Sequence, residues 1–276
     1  MPSAARLCTR GSATNTATLA ASSADTKTAV LAGLIRDYVR GSIRHLLVVG
    51  CGSGIEAMTL AAELRTEVIG IDPQSDGFDP VAAAAVDLRH GDAVDLEFPD
   101  RAFDFVFSYH ALEHIPRYSE ALAEMARVLR PGGAYCVGTP NRLRIAGYLG
   151  SKDATALEIL QWNAADWHAR LRGRFRNEFG AHAGFSAAEL AHVLTRAFDD
   201  AEDITLAYYR RLYPRHARFL RLARGLRIDR LISPSIYFLG RKPRDTPLWA
   251  ETGVLGGSGG PQRPATGPST PNVAAR

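Results

Sequence analysis

His45-Leu46-Leu47-Val48-Val49-Gly50-Cys51-Gly52-Ser53-Gly54 decides the reading of this chain. A short apolar run ends in three glycines at alternate positions, and Ile55-Glu56-Ala57-Met58-Thr59-Leu60 continues as a helix. Strand, glycine turn and helix start form a corner suited to a nucleotide or nucleoside, because backbone without side chains passes close under a ligand.

The acid expected next is present. Glu67-Val68-Ile69-Gly70-Ile71-Asp72 reads as a second strand, and Asp72 ends it eighteen residues after Gly54. A carboxylate there is placed to accept both hydroxyl hydrogens of a ribose. A dinucleotide site would want Gly-x-Gly-x-x-Gly, whose last position, counted from Gly50, is Ile55. The frame found, Gly-x-Gly-x-Gly, suits a cofactor without a pyrophosphate. Further on stand Arg89-His90-Gly91-Asp92-Ala93, the apolar run Phe103-Asp104-Phe105-Val106-Phe107-Ser108, then Leu112-Glu113-His114-Ile115 and Leu129-Arg130-Pro131-Gly132-Gly133.

With these residues in this order, the chain resembles the class I S-adenosylmethionine-dependent methyltransferases. It is most similar to the subgroup that includes ubiquinone and menaquinone biosynthesis methyltransferases and small-molecule O-methyltransferases. The resemblance covers residues 45–141 and implies S-adenosylmethionine as cofactor. It places the cofactor at Gly50, Cys51, Gly52, Gly54, Asp72, Pro73, Asp92, Ala93, Ser108 and His110, with Asp72 on the ribose and Asp92 and Ala93 at the adenine edge. It makes His110 and His114 the candidate bases, His114 being equally a scaffold for the next helix. Members usually carry an acid two residues before the first glycine; this chain has Val48, so a water or another side chain must replace it. Asp104 reads as structural, and no metal is expected.

Composition agrees. The chain has 276 residues, 46% hydrophobic and 8% aromatic, enough for one substantial α/β core. Cys8, Cys51 and Cys136 lie far apart, so neither a disulfide framework nor a metal spacing follows, and a cytoplasmic setting is expected. No apolar run approaches the roughly 20 residues of a spanning helix. Residues 1–25 are rich in Ala, Ser and Thr, with Arg6 and Arg10 and no acid before Asp25; a disordered tail is expected in preference to a transit peptide. Residues 243–276 are Gly/Pro-rich, as in Gly256-Gly257-Ser258-Gly259-Gly260-Pro261, and are also expected to be disordered. The methyltransferase domain is expected over 26–242.

Between the tails, helical and strand periodicities alternate, which predicts a doubly wound, Rossmann-like sheet with mostly parallel strands and helices on both faces. A helix is expected over Thr26 to Arg40 and another from about Pro116 to Arg130. Strands are expected near 45–50, 67–72, 87–91, 103–109, 134–138, 202–209 and 235–241. Ser186 is placed to cap a helix over Ala187 to Phe198, with Glu189 at the capping-box position. The resemblance adds that the sheet has seven strands with the last antiparallel.

The acceptor should be read from the insertion at about 141–185, which holds Trp162, Trp167, Phe175 and Phe179 among Arg170, Arg172, Arg174 and Arg176. These aromatics either pack a lid on the core or line a pocket; His168 and His182 are surface residues or enter that pocket. The segment 206–230 holds eight arginines and one acid, Asp229, leaving 25 basic and 28 acidic residues elsewhere, so the formal charge of +4 is a local feature. Its apolar residues fall at helical spacing, giving either a solvated basic face or a basic amphipathic helix resting on an anionic membrane. No nucleic-acid module is recognisable. The reading is methyl transfer to a small or lipid-linked acceptor, most readily at oxygen, by a cytoplasmic protein for which this segment is either a solvated basic face or a peripheral membrane contact. A cofactor-binding relative without turnover and an NAD(P)-dependent oxidoreductase are the alternatives.

Overall fold

Apolar residues at alternate positions of β1 (His45–Val49) serve two different cores, and the fold follows from that split. The computed structural model describes residues 13–147, 155–175, 177 and 183–244, with 13–25 as backbone only. Arg6, Cys8, Arg10, Arg176, Phe179, His182 and the expected tail from 245 onward lie outside the described residues. Leu46 and Val48 face a core with Leu31 and Ile35 of α1 (Ala13–Val39), Ala57 and Leu60 of α2 (Ile55–Leu64), and Phe105 and Phe107 of β4 (Phe103–Tyr109). Leu47 and Val49 face the other way, onto Leu122 and Met125 of α4 (Tyr118–Val128) and Leu190 and Leu194 of α6 (Ala187–Phe198). Helices therefore cover both faces of one sheet, the arrangement that parallel strands require.

The other strands are β2 (Glu67–Asp72), β3 (Asp87–His90), β5 (Leu129–Pro140), β6 (Glu202–Asp203) and β7 (Ser235–Arg241). Their order is β3-β2-β1-β4-β5-β7-β6, parallel except for β7, which runs against both its neighbours. Strand order reverses between β1 and β4, so a crevice opens at their carboxyl ends, where such sheets bind ligands. Asp104 closes the opposite end. One carboxylate oxygen accepts the Arg44 and His45 amides at 2.7 and 3.0 Å, and the other pairs with Arg130 at 2.7 Å. Its structural reading holds.

Ser186 caps α6 as expected, with the Glu189 side chain returning to the Ser186 amide in a reciprocal box. Four expectations are corrected. The first helix starts at Ala13, inside the expected tail, because no Pro interrupts Ala13 to Val39. Leu129 and Arg130 belong to β5, not the preceding helix. The strand expected over 202–209 is only Glu202–Asp203; α7 (Thr205–Leu212) follows at once, burying Thr205, Tyr208 and Tyr209 on one helical face. The basic segment is several short helices: α7, a 3₁₀ turn over Pro214–His216, α8 (Ala217–Gly225) and α9 (Asp229–Ile232). Pro214 lacks the amide that a continuous helix would need.

Asp104→Ala should lower the unfolding free energy by about 2–3 kcal/mol, since two backbone donors and a guanidinium lose their acceptor. Urea denaturation checks this; Ser186→Ala, which loses one cap, should cost about 1 kcal/mol.

Candidate functional site

The bend after β1 turns on positive φ at Gly50, Gly52 and Gly54, of +73°, +51° and +85°. Gly50 is glycine because a Cβ would lie 2.3 Å from that of Ala111; around Gly52, by contrast, a Cβ would meet nothing within 4 Å. The Ile71 carbonyl accepts the amides of Gly50 and Cys51 at 2.9 and 3.0 Å, tying the bend to β2. One oxygen of Asp72 accepts the Gly52 amide at 2.8 Å and the other the Gln74 amide at 2.9 Å. A carboxylate has about four lone-pair positions, so two remain for a ligand.

These residues wall a cavity of about 420 Å³ at the carboxyl ends of β1 and β2. Gly50, Gly52, Asp72, Pro73, Asp92, Ala93, His110 and His114 all line it, although they come from four segments of the chain. Ile71, Gln74, Gly91, Ala111 and Ile115, not singled out from the sequence, complete the wall. Three expected contacts stand behind it. Cys51 is buried, its thiol pushed up to about 12 by burial. Ser108 is buried inside β4, its hydroxyl without a hydrogen-bond partner among the described residues. Gly54 packs on β3: a Cβ there would lie 2.3 Å from Leu88. Val48 is 1% exposed in the α1-side core. Glu56, in the first turn of α2, is partly buried, and burial pushes its carboxyl up to about 7 against the pull of Lys27.

At the cavity edge His110 holds φ +53°, an uncommon conformation for a residue with a side chain. Its Nε2 lies 3.1 Å from Ser235 Oγ, and its Nδ1 is 3.6 Å from a carboxylate oxygen of Glu113. His114 Nε2 stands 4.0 Å from the same oxygen. Glu113 is buried, neither oxygen has a hydrogen-bond partner among the described residues, and burial pushes its pKa up to about 7, moderated by its own amide and by Arg144. This carboxyl between two imidazoles was missed in the sequence, where it sits inside a quoted motif. Its only signal was the three-residue step from His110. Beyond His114 a second, more polar cavity of about 730 Å³ includes Glu113, Arg142, Glu189 and His192.

The insertion divides. Phe175 is buried beneath the guanidiniums of Arg144 and Arg170, 5.3 and 3.9 Å from its ring centre, whereas Trp162, Trp167 and His168 are exposed.

Residues 47–137 match the family model described as a methyltransferase domain. That stretch is similar to methyltransferase domains. Similar proteins include a probable S-adenosylmethionine-dependent methyltransferase of Mycolicibacterium smegmatis, 39% identical over 102 residues, covering 36% of this chain and 39% of that protein. A fatty-acid O-methyltransferase of the same organism is 40% identical over 97 residues, covering 33% and 35%. A demethylmenaquinone methyltransferase of Listeria monocytogenes is 37% identical over 105 residues, covering 34% and 44%. The chain thus matches less than half the length of these relatives. S-adenosylmethionine is the cofactor of this domain class, and the site suits it: an open, side-chain-free cradle at Gly52 beside a carboxylate with acceptor capacity to spare.

Glu113 makes the stability of the fold depend on pH. A carboxyl whose folded pKa is raised favours the native state only while protonated. That contribution is full below about pH 4.5 and lost as pH rises through about 7. Glu113→Gln, neutral throughout, should be more stable than wild type by about 1–3 kcal/mol at pH 8 and indistinguishable from it at pH 4. Thermal unfolding at the two pH values checks this.

Proposed function

We propose that the protein transfers a methyl group from S-adenosylmethionine to an oxygen of a small or lipid-linked acceptor. The observation that carries this reading is the convergence of Gly52, Asp72, Asp92 and His110 on one cavity at the switch point of the sheet. The backbone at Gly50 and Gly52 borders the methionine portion, the spare lone pairs of Asp72 accept ribose hydroxyls, and Asp92 and Ala93 meet the adenine edge. When bound, the cofactor supplies a methyl carbon whose bond to sulfur breaks as the acceptor oxygen bonds to it, leaving a neutral thioether. Alignment and exclusion of water do most of the work. His110, turned to the cavity edge between Ser235 and Glu113, receives the proton of an acceptor hydroxyl; an acceptor already ionised needs no base.

Oxygen is favoured because the fatty-acid O-methyltransferase resembles the very domain that builds this cavity. Together with the demethylmenaquinone methyltransferase it points to apolar acceptors. One observation favours a second reading, cofactor binding without turnover: Val48 is buried among apolar side chains and provides no acid at the base of the glycine bend.

Incubating the protein with methyl-labelled S-adenosylmethionine and a panel of fatty acids and phenols separates the two. Label should appear in an ester or ether product, and His110→Asn should lower turnover of a phenol about 100-fold while leaving cofactor affinity within about threefold. Asn tolerates the positive φ but takes up no proton. Transfer to nitrogen or carbon acceptors alone would refute oxygen, and no transfer to any acceptor would favour the binding-only reading.

A further inference from the structure

On the α1 side of the sheet lies a cavity of about 400 Å³ that the methyl-transfer site does not use. Tyr109, Tyr208, Tyr209, Tyr213 and Tyr237 form much of its wall. Their polar ends are largely turned on one another and on the backbone. Tyr237 Oη donates to Tyr109 Oη at 3.3 Å, and Tyr209 Oη both accepts the Ser235 amide at 3.0 Å and reaches the Ser235 carbonyl at 3.3 Å. Burial raises Tyr109, Tyr208, Tyr209 and Tyr237 above the ordinary phenol range, so these phenols are neutral. With hydroxyls paired this way, the rings present a largely apolar interior.

Only a thin wall parts this cavity from the one lined by Gly52 and Asp72. Ser235 lines the tyrosine cavity and touches His110, which lines the cofactor cavity; the Tyr109 ring packs edge-on against the His110 ring, 4.2 Å between centres. The other end lies at α8. There Phe219 lines the cavity while 53% exposed, and Leu222 and Leu226, on the same helical face, are 63% and 62% exposed. Arg215, Arg218, Arg221 and Arg227 surround them, exposed and with no carboxylate partner among the described residues. The nearby acid Asp229 is buried and paired with Arg224. An apolar strip bordered by uncompensated positive charge has the composition of a helix seated in the headgroup region of an anionic bilayer.

We propose that the tyrosine-walled cavity is the acceptor site for a long-chain amphiphile, and that α8 seats its mouth on an anionic membrane surface. The assignment of the occupant as acceptor rests on the methyl-transfer reading; the membrane contact does not. The chain of the amphiphile fills the space between the tyrosines, and its polar oxygen reaches the wall at Ser235 and His110. No helix among the described residues is long and apolar enough to cross a membrane, so the contact is peripheral.

Co-sedimentation of the full chain with vesicles tests the surface. Binding should be strong to phosphatidylcholine containing about one-third phosphatidylglycerol, weak to phosphatidylcholine alone, and reduced by salt. Arg218→Glu with Arg221→Glu, and separately Phe219→Ser with Leu222→Ser, should each weaken it at least about tenfold. Equal binding to both vesicles, or charge reversal without effect, would overturn the membrane contact; so would self-association through α8 in place of vesicle binding. Fluorescence of pyrene-labelled palmitic acid tests the cavity. Leu212→Trp and Leu220→Trp, each filling part of it, should weaken probe binding at least about tenfold while S-adenosylhomocysteine still binds. Probe binding unaffected by either variant but abolished by His192→Trp would move the acceptor to the polar cavity and overturn the assignment. Probe and vesicle binding without any S-adenosylhomocysteine binding would sink the methyl-transfer reading alone.

Discussion

The bend after β1 is held by β2. The Ile71 carbonyl takes two of its amides, and the Asp72 carboxylate takes a third. Because three glycines accept positive φ there, the chain turns from strand to helix without placing a side chain over the crevice. Gly50 lets Ala111 approach from the end of β4, which brings His110 to the cavity edge. The glycine cradle, the position of the Asp72 carboxylate and that of the candidate base are therefore consequences of one backbone turn and of the parallel register between β1, β2 and β4.

Around that turn the molecule separates two chemistries. On one side of His110, Glu113 lies in a polar cavity without a hydrogen-bond partner among the described residues; on the other, tyrosines make an apolar one. The His110 ring spans the boundary, in reach of Ser235 from one nitrogen and of Glu113 from the other. An amphiphile with an apolar chain and a reactive oxygen matches that division, and the proposed contact of the α8 arginines with an anionic membrane would give such a molecule a route in.

Elements with strong local signals were legible in the sequence. The apolar runs of β1, β2 and β4 were bounded by turn residues, and the Ser186–Glu189 box marked its helix start. The run over 204–209 misled because Ile204, Thr205, Tyr208 and Tyr209 are residue types common in strands. Their spacing, continued to Leu212, was helical, and in the fold that period prevailed. The cavity-facing ends of the motifs were legible too: Asp72, Asp92 and His110 each stand at or just beyond the end of a strand. Burial was not. Cys51, Gly54 and Ser108 belong to the same motifs yet support the cavity from behind, and nothing local distinguishes them from their neighbours. Glu113 is notable only for what surrounds it. The tyrosine cavity joins Tyr109, Tyr208 and Tyr237, residues that antiparallel β7 brings together from distant parts of the chain.

Calorimetric titration of the full chain with S-adenosylhomocysteine tests the central claim most directly, wild type against Asp72→Ala. One site per chain is predicted, weakened at least about 100-fold by the substitution, which removes a charged acceptor and frees the Gly52 amide. No heat of binding with the wild type, or equal affinity in the variant, would contradict the account.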